Sequence, residues 1–191
     1  MKVYFIRHGE TDWELVQSRG IRGWATSFAP LTPLGRLQID TIARDFRLQD
    51  CEAILCSSYA RALESAALLS RALNKPLYVE YDLHEWLPQK NSLADIDQKL
   101  LSEANETLRG RHLRADESVT MPWESLDEVR ERVLEVLSRY QEFNDVIVVT
   151  HAVVISSLIG MDRLVEYAEI VPCEIDPMSS TQKASVKTCV M

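Results

Sequence analysis

The sequence has no long hydrophobic run, few cysteines and a deficit of positive charge, and each shortage excludes a class of protein. No apolar run approaches the ~18 residues of a membrane-spanning helix. The apolar stretch Val3–Ile6 ends at a charge, so we expect no secretory signal, no membrane association and a cytoplasmic location. The four cysteines show no CxxC spacing, and we therefore expect free thiols rather than a disulfide framework or a zinc site.

Acidic residues outnumber basic ones, 29 to 21, which gives a net charge of −8. This balance argues against nucleic acid as a partner, and an anionic ligand would need a locally positive pocket. The hydrophobic fraction of 46% is that of a globular protein, and neither an internal repeat nor a Gly/Ser linker divides the 191 residues. We therefore expect a single domain over residues 1–178 and a flexible tail over residues 179–191.

Short apolar segments alternate with helical patterns along the chain. The predicted strands are Lys2–Ile6, Ala53–Cys56, Leu77–Val79, Val146–Thr150 and a short segment near Ile170-Val171. The predicted helices are Pro33 to about Arg47, Tyr59–Leu73, Leu93–Ala104, Leu126 to about Phe143 and Val153–Ile159. This alternation predicts an α/β fold with a mostly parallel central sheet, and the looser segment 82–122 is interpreted as an inserted lid.

Residues with useful chemistry follow three of the predicted strands. Arg7-His8 follows the first, Arg61 lies shortly after the second, and His151 follows Val146–Thr150. Ligands of such sheets bind beyond the carboxyl ends of the strands. A histidine there can act as nucleophile or base, and the planar fork of an arginine suits phosphate or carboxylate. Two histidines and two arginines favour an anion over a metal ion, although core histidines and a surface arginine remain alternatives.

Six motifs in the sequence resemble those of the histidine phosphatase superfamily, in its phosphoglycerate mutase-like branch. They occur in the family's order and are Arg7–Thr11, Pro30–Gly35, Ser57–Ala66, Leu83–Trp86, Pro122–Leu126 and Val148–Ile155. The resemblance implies a phosphoglycerate mutase-like three-layer α/β/α fold. It spans residues 3–159, which is most of the chain.

The resemblance also implies a mechanism and a set of catalytic residues. His8 would attack a phosphomonoester and become phosphorylated, while Arg7, Arg61 and His151 hold the phosphoryl oxygens. Glu85 would protonate the leaving oxygen and then activate water. No metal and no cofactor would be required.

Further substrate contacts are expected from the loop that follows the first strand. The resemblance assigns Thr11, Glu14 and Trp24 to this group, although the family often has Asn at the position of Glu14. If Glu85 is only a surface carboxylate, Glu10 or His84 would have to supply the proton.

The sequence therefore predicts a metal-independent phosphatase acting on a small phosphorylated substrate. The alternatives are a phosphoglycerate mutase and a non-catalytic phosphate-binding module, and either a monomer or a homodimer is compatible with the sequence. A basic group in the lid segment could meet a second anionic group of the substrate or form a solvated loop; it comprises Arg109, Arg111, His112 and Arg114. Three tryptophans could line the rim of the pocket or belong to the core; they are Trp24, Trp86 and Trp123.

Overall fold

A computed structural model describes residues 1–90, 97–109, 122–162, 164–176 and 185–189. Its strands are β1 (Lys2–Arg7), β2 (Ala53–Ser57), β3 (Leu77–Glu80), β4 (Asp145–Thr150), β5 (Ile170–Asp176) and β6 (Ser185–Cys189). They form one sheet in the order β3-β2-β4-β1-β5-β6. The first four strands in this order pair in parallel, whereas β5 pairs antiparallel with both β1 and β6. The predicted α/β fold with a mostly parallel sheet is confirmed.

In the described ranges, six α-helices surround the sheet: α1 (Trp13–Ser18), α2 (Pro33–Ile42), α3 (Ala60–Leu73), α4 (Gln98–Arg109), α5 (Leu126–Ser138) and α6 (Ala152–Ile159). The same ranges contain three short 3-10 helices, Gly23–Phe28, Phe46–Leu48 and Tyr81–Leu83. The start of α2 follows from its sequence, since Thr32 Oγ1 accepts from the Gly35 backbone N–H at 2.9 Å. Ser125 and Glu128 likewise form a capping box at the start of α5.

Several predicted helix boundaries are wrong. The helix α2 ends at Ile42 instead of about Arg47, because Asp45 caps a 3-10 turn in which Phe46 is 81% exposed. The helix α4 begins later than predicted, and α5 ends at Ser138 rather than near Phe143. Local apolar spacing predicted the existence of these helices better than their ends.

The sheet separates two hydrophobic cores. Successive side chains of β1 point to opposite faces, so Val3 and Phe5 pack on the side of α5 and α6. Tyr4 and Ile6 pack on the other side, with residues of α2 and α3. The layers therefore run helix, sheet, helix, as the resemblance implied, and the carboxyl ends of β1, β2 and β4 lie side by side.

The C-terminal strands differ from two expectations. Cys173 and Cys189 form a disulfide between β5 and β6, so the prediction of four free thiols is wrong for this pair, while Cys51 and Cys56 are free and buried. The register places the bonded residues opposite each other, which a separation of 16 residues in the sequence does not reveal. Residues Ser185–Cys189, expected in a flexible tail, form β6. None of the helices in the described ranges is long and apolar enough to span a membrane.

Candidate active site

The loop after β1 is pressed against the start of α2 through two glycines. A Cβ atom on Gly9 would lie 2.5 Å from the Gly35 carbonyl oxygen, and one on Gly35 would lie 2.3 Å from the Glu10 carbonyl oxygen. Only glycine at both positions permits this approach of the two backbones. The Glu10 carboxylate accepts from the Thr32 hydroxyl at 2.8 Å, which ties the same loop to the helix start. The backbone that follows His8 is therefore held against the start of α2 by close packing and by a hydrogen bond.

The ring of His8 is buried and held in one tautomer. Its Nδ1 lies 2.8 Å from the Gly9 carbonyl oxygen, which can only accept, so Nδ1 carries the hydrogen and Nε2 carries the lone pair. The Arg61 Nε–H donates to Nε2 at 3.1 Å, and Thr11 Oγ1 lies 3.4 Å from Nδ1. Burial, followed by the charges of Arg61 and Arg7, lowers the pKa of His8 to about 3. The site therefore holds a neutral imidazole, the form able to attack phosphorus.

Both arginines of the site are held by aromatic rings and a carbonyl group. Arg61 is buried in the first turn of α3, with its Cζ 5.4 Å from the ring centre of Trp13 and 5.1 Å from that of Tyr59. The Arg7 guanidinium lies 3.9 Å from the ring centre of Tyr167, and its Nη1 donates to the Val165 carbonyl oxygen at 2.6 Å. The Arg7 Nε is buried and has no hydrogen-bond partner among the described residues. Such an atom is typical of a site that receives a ligand.

His151 lies beside His8 at the end of β4. The two ring centres are 5.1 Å apart, and His151 Nε2 is 2.8 Å from Ser57 Oγ. Ser57 Oγ accepts from the Tyr59 backbone N–H at 3.2 Å, so its own hydrogen can be donated to Nε2. In that arrangement His151 Nδ1 carries a hydrogen, and this buried atom has no partner in the described part of the chain. Burial, Arg61 and His8 lower the pKa of His151, which makes it a neutral donor.

Glu85 follows the 3-10 helix Tyr81–Leu83 and is only partly exposed. Its Oε1 accepts from the Trp86 backbone N–H at 2.8 Å. Burial raises the pKa of Glu85, against the opposing effects of that N–H and of Arg61 and Arg7. A raised pKa favours the protonated carboxyl group, which is the form required of a general acid.

The alternative acids are less suited to the role. The Glu10 carboxylate is engaged by Thr32. His84 is buried, its Nδ1 lies 2.7 Å from the Glu85 carbonyl oxygen, and burial together with Arg132 lowers its pKa. A histidine with a lowered pKa has no second proton to donate near neutral pH.

The structure brings together six of the predicted site residues: Arg7, His8, Thr11, Arg61, Glu85 and His151. Glu14 is exposed in the first turn of α1, and Trp24 is half-buried in the 3-10 helix Gly23–Phe28, so their roles stay predictions. Trp86 packs in the core, and the half-buried Trp123 packs against it. Arg111, His112 and Arg114 lie outside the described residues, as does the side chain of Arg109.

The family model of the histidine phosphatase superfamily, branch 1, matches residues 3–182. The chain belongs to this superfamily. The probable phosphoglycerate mutase GpmB of Photorhabdus laumondii is 25% identical over 164 residues, which are 84% of this chain and 74% of that protein. The probable phosphoglycerate mutase GpmB of Yersinia enterocolitica is 32% identical over 85 residues, 44% of this chain and 38% of that protein.

Solved structures of histidine phosphatase-like proteins share the fold. Bacillus stearothermophilus YhfR has a TM-score of 0.67 at 21% identity, over 97% of this chain and 95% of that one. A mycobacterial glucosyl-3-phosphoglycerate phosphatase complexed with VO3 has a TM-score of 0.67 at 18% identity, over 98% and 97%. The α-ribazole phosphatase from Shigella flexneri has a TM-score of 0.60 at 23% identity, over 98% and 95%. Family and fold therefore agree with the resemblance seen in the sequence.

Four residues of this histidine phosphatase site were not predicted as site residues. Ser57 and Tyr59 lie within a recognised motif, but their contacts with His151 depend on the pairing of β2 with β4. Trp13 begins a helix of only six residues. Tyr167 lies in an irregular segment, and no local sequence pattern predicts its contact with Arg7, which lies 160 positions earlier in the chain.

Proposed function

We propose that this protein is a metal-independent phosphomonoester phosphatase that works through a phosphohistidine on His8. The observation that carries the proposal is a neutral His8 whose Nε2 faces Arg61, in a site with two donors that have no hydrogen-bond partner among the described residues. Those donors, Arg7 Nε and His151 Nδ1, can bind the phosphoryl oxygens. Phosphoryl transfer depends mainly on positioning and charge stabilisation, and these groups supply both.

The first step transfers the phosphoryl group to the protein. When the substrate binds, the Arg61 Nε–H turns from His8 Nε2 to a phosphoryl oxygen. The freed Nε2 lone pair attacks phosphorus while the bond from phosphorus to the leaving oxygen breaks. The Glu85 carboxyl group donates its proton to that oxygen, so the alcohol departs neutral. The two arginine charges stabilise the negative charge on the transferring group.

The second step hydrolyses the phosphohistidine. The Glu85 carboxylate accepts a proton from water, and the water oxygen attacks phosphorus while the P–N bond breaks. Inorganic phosphate leaves, His8 is again neutral, and Glu85 is again protonated.

A phosphoglycerate mutase is the second candidate, because the curated relatives at 25% and 32% identity carry that name. A mutase must return the phosphoryl group to a bound intermediate and therefore exclude water. The residues after Glu85, Trp86–Asn91, lack the Arg-His-Tyr-Gly-like stretch expected of family mutases. We therefore favour hydrolysis.

Phosphate release from p-nitrophenyl phosphate in EDTA, with wild type beside His8→Ala, tests the proposal. We expect activity that survives chelation, is lost in the variant, and yields a trapped phosphohistidine in wild type alone. Activity lost to chelation, or equal in both proteins, overturns the proposal. Isomerisation of 3-phosphoglycerate without net hydrolysis would identify a mutase, and phosphate binding without turnover would identify a binding module.

A further inference from the structure

A buried ion pair lies behind the segment that carries Glu85. Arg132 of α5 and Glu124 approach each other through two contacts, Nε to Oε1 at 2.6 Å and Nη2 to Oε2 at 3.0 Å. Their side chains are 12% and 6% exposed. Desolvation opposes the burial of two charges, and replacing a buried pair with apolar residues is often neutral for stability. A contribution to folding stability alone therefore does not explain why this ion pair is buried here.

The pair holds the backbone on both sides of Glu85. Before it, Arg132 Nη1 donates to the Asp82 carbonyl oxygen. After it, Glu124 Oε2 accepts from the Leu87 backbone N–H at 3.2 Å, and the Glu124 backbone N–H donates to the Leu87 carbonyl oxygen at 2.9 Å. The backbone from Asp82 to Leu87 is thus bonded at its two ends to one ion pair.

A second link reaches the carboxyl group itself. The indole Nε1–H of Trp86 donates to the Glu124 carbonyl oxygen at 2.6 Å, while the Trp86 backbone N–H donates to Glu85 Oε1 at 2.8 Å. Trp86 is buried, so its backbone moves only if the surrounding core moves. Displacement of Glu124 would therefore displace the hydrogen bond that orients the Glu85 carboxyl group.

We infer that Glu124 and Arg132 are positioning residues that hold the general acid of this enzyme in reach of the leaving oxygen. The inference rests on the proposed function, in which Glu85 is that acid. Neither residue contacts His8 or the phosphate-binding arginines in the described contacts, so both act through the backbone of Asp82–Leu87. A displacement of ~1 Å in such a group can cost about 10²-fold in rate.

Leaving groups of different basicity separate this role from a general loss of structure. The p-nitrophenolate ion departs without protonation, whereas an alkoxide must be protonated as it leaves. We would measure kcat/KM, which reports the steps up to the phosphohistidine, for p-nitrophenyl phosphate and for a simple alkyl phosphate. The variants are Arg132→Lys, which removes the two-pronged contact, and Glu124→Gln, which retains an acceptor for Leu87.

We expect both variants to lose at least about tenfold more kcat/KM on the alkyl phosphate than on the aryl phosphate. Arg47→Lys is the matched control, because Arg47 makes a similar two-pronged contact with Asp45, at 2.9 and 2.7 Å, in the 3-10 helix Phe46–Leu48 that packs in the other core. Thermal unfolding of every variant shows whether it folds. If Arg132→Lys fails to fold, Glu124→Gln still tests the inference.

Glu85→Gln in the same assay distinguishes a failure of the proposed acid role of Glu85 from a failure of the positioning role of Glu124 and Arg132. A selective loss on the alkyl phosphate in Glu85→Gln supports the acid role, and its absence overturns the proposed role of Glu85. If Glu85→Gln is selective but the ion-pair variants lose both activities equally, or lose neither, the positioning inference is wrong and the proposed function still stands.

Discussion

The free energy of unfolding should fall with decreasing pH, because His8 takes up a proton more readily in the unfolded chain than in the folded protein. Burial, Arg61 and Arg7 lower the pKa of this ring from 6.5 to about 3 in the folded state. The folded protein therefore binds fewer protons at this site than the unfolded chain does. The corresponding stability is fully present above pH 6.5 and is lost as the pH falls toward the folded-state pKa.

The magnitude follows from the two pKa values. Between pH 8 and pH 5 the unfolded chain takes up a proton at His8 and the folded protein does not, which amounts to about 2 kcal/mol at 1.36 kcal/mol per unit of pKa. Urea denaturation of wild type and His8→Asn at pH 8, 7, 6 and 5 measures the effect. The free energy of unfolding should fall by about 2 kcal/mol more in wild type than in the variant over this range.

The two remaining described histidines test the specificity of the argument. His84 and His151 are present in both proteins, and because both have lowered pKa values they add a similar pH dependence to each. The difference between the two curves therefore reports His8. Parallel curves would refute the reasoning, as would an NMR titration in which the His8 ring protonates near its ordinary pKa of 6.5.

Three further outcomes follow from the site. Arg61→Lys should lower kcat/KM by about 10²–10³, because lysine lacks the guanidinium fork that the proposed mechanism places on the phosphoryl oxygens. The exposed Arg71→Lys near the other end of α3 should leave kcat/KM unchanged, and equal values in the two variants contradict the proposed role of Arg61. Since burial raises the pKa of Glu85, kcat/KM for the alkyl phosphate should fall as the pH rises through that value, and a Glu85→Gln profile that keeps this basic limb would speak against the acid role. Gly35→Ala should lower the free energy of unfolding by about 1–3 kcal/mol in thermal denaturation, more than Leu37→Ala on the exposed side of the same helix.

The location of the site was predictable because it depends on local signals and one rule of α/β sheets. The short apolar segments that became β1, β2 and β4 could be identified without knowledge of their neighbours. Whatever order such parallel strands take, their carboxyl ends lie at the same edge. The sequence therefore placed His8, Arg61 and His151 together before the strand order was known.

The remaining features depend on contacts between distant parts of the chain. Tyr167 reaches Arg7 from an irregular segment, and Cys173 meets Cys189 only because β5 and β6 pair in one register. Helix ends depend on single capping groups, as at Asp45, and apolar periodicity does not report them. Local patterns predict elements, whereas these contacts arise from the packing of elements.

The way in which the arginines are held reconciles an acidic protein with an anion site. Other arginines form ion pairs with carboxylates; the pairs include Arg36–Glu64, Arg47–Asp45, Arg132–Glu124 and Arg139–Glu80. Within the described residues, Arg7 and Arg61 form no such pair and are held by aromatic rings, a carbonyl oxygen and His8. The carboxyl group that acts on both is Glu85, and its raised pKa favours the uncharged form. In the proposed mechanism, an uncharged Glu85 leaves the positive charge of the two arginines available to a phosphomonoester and keeps the proton that its leaving group needs.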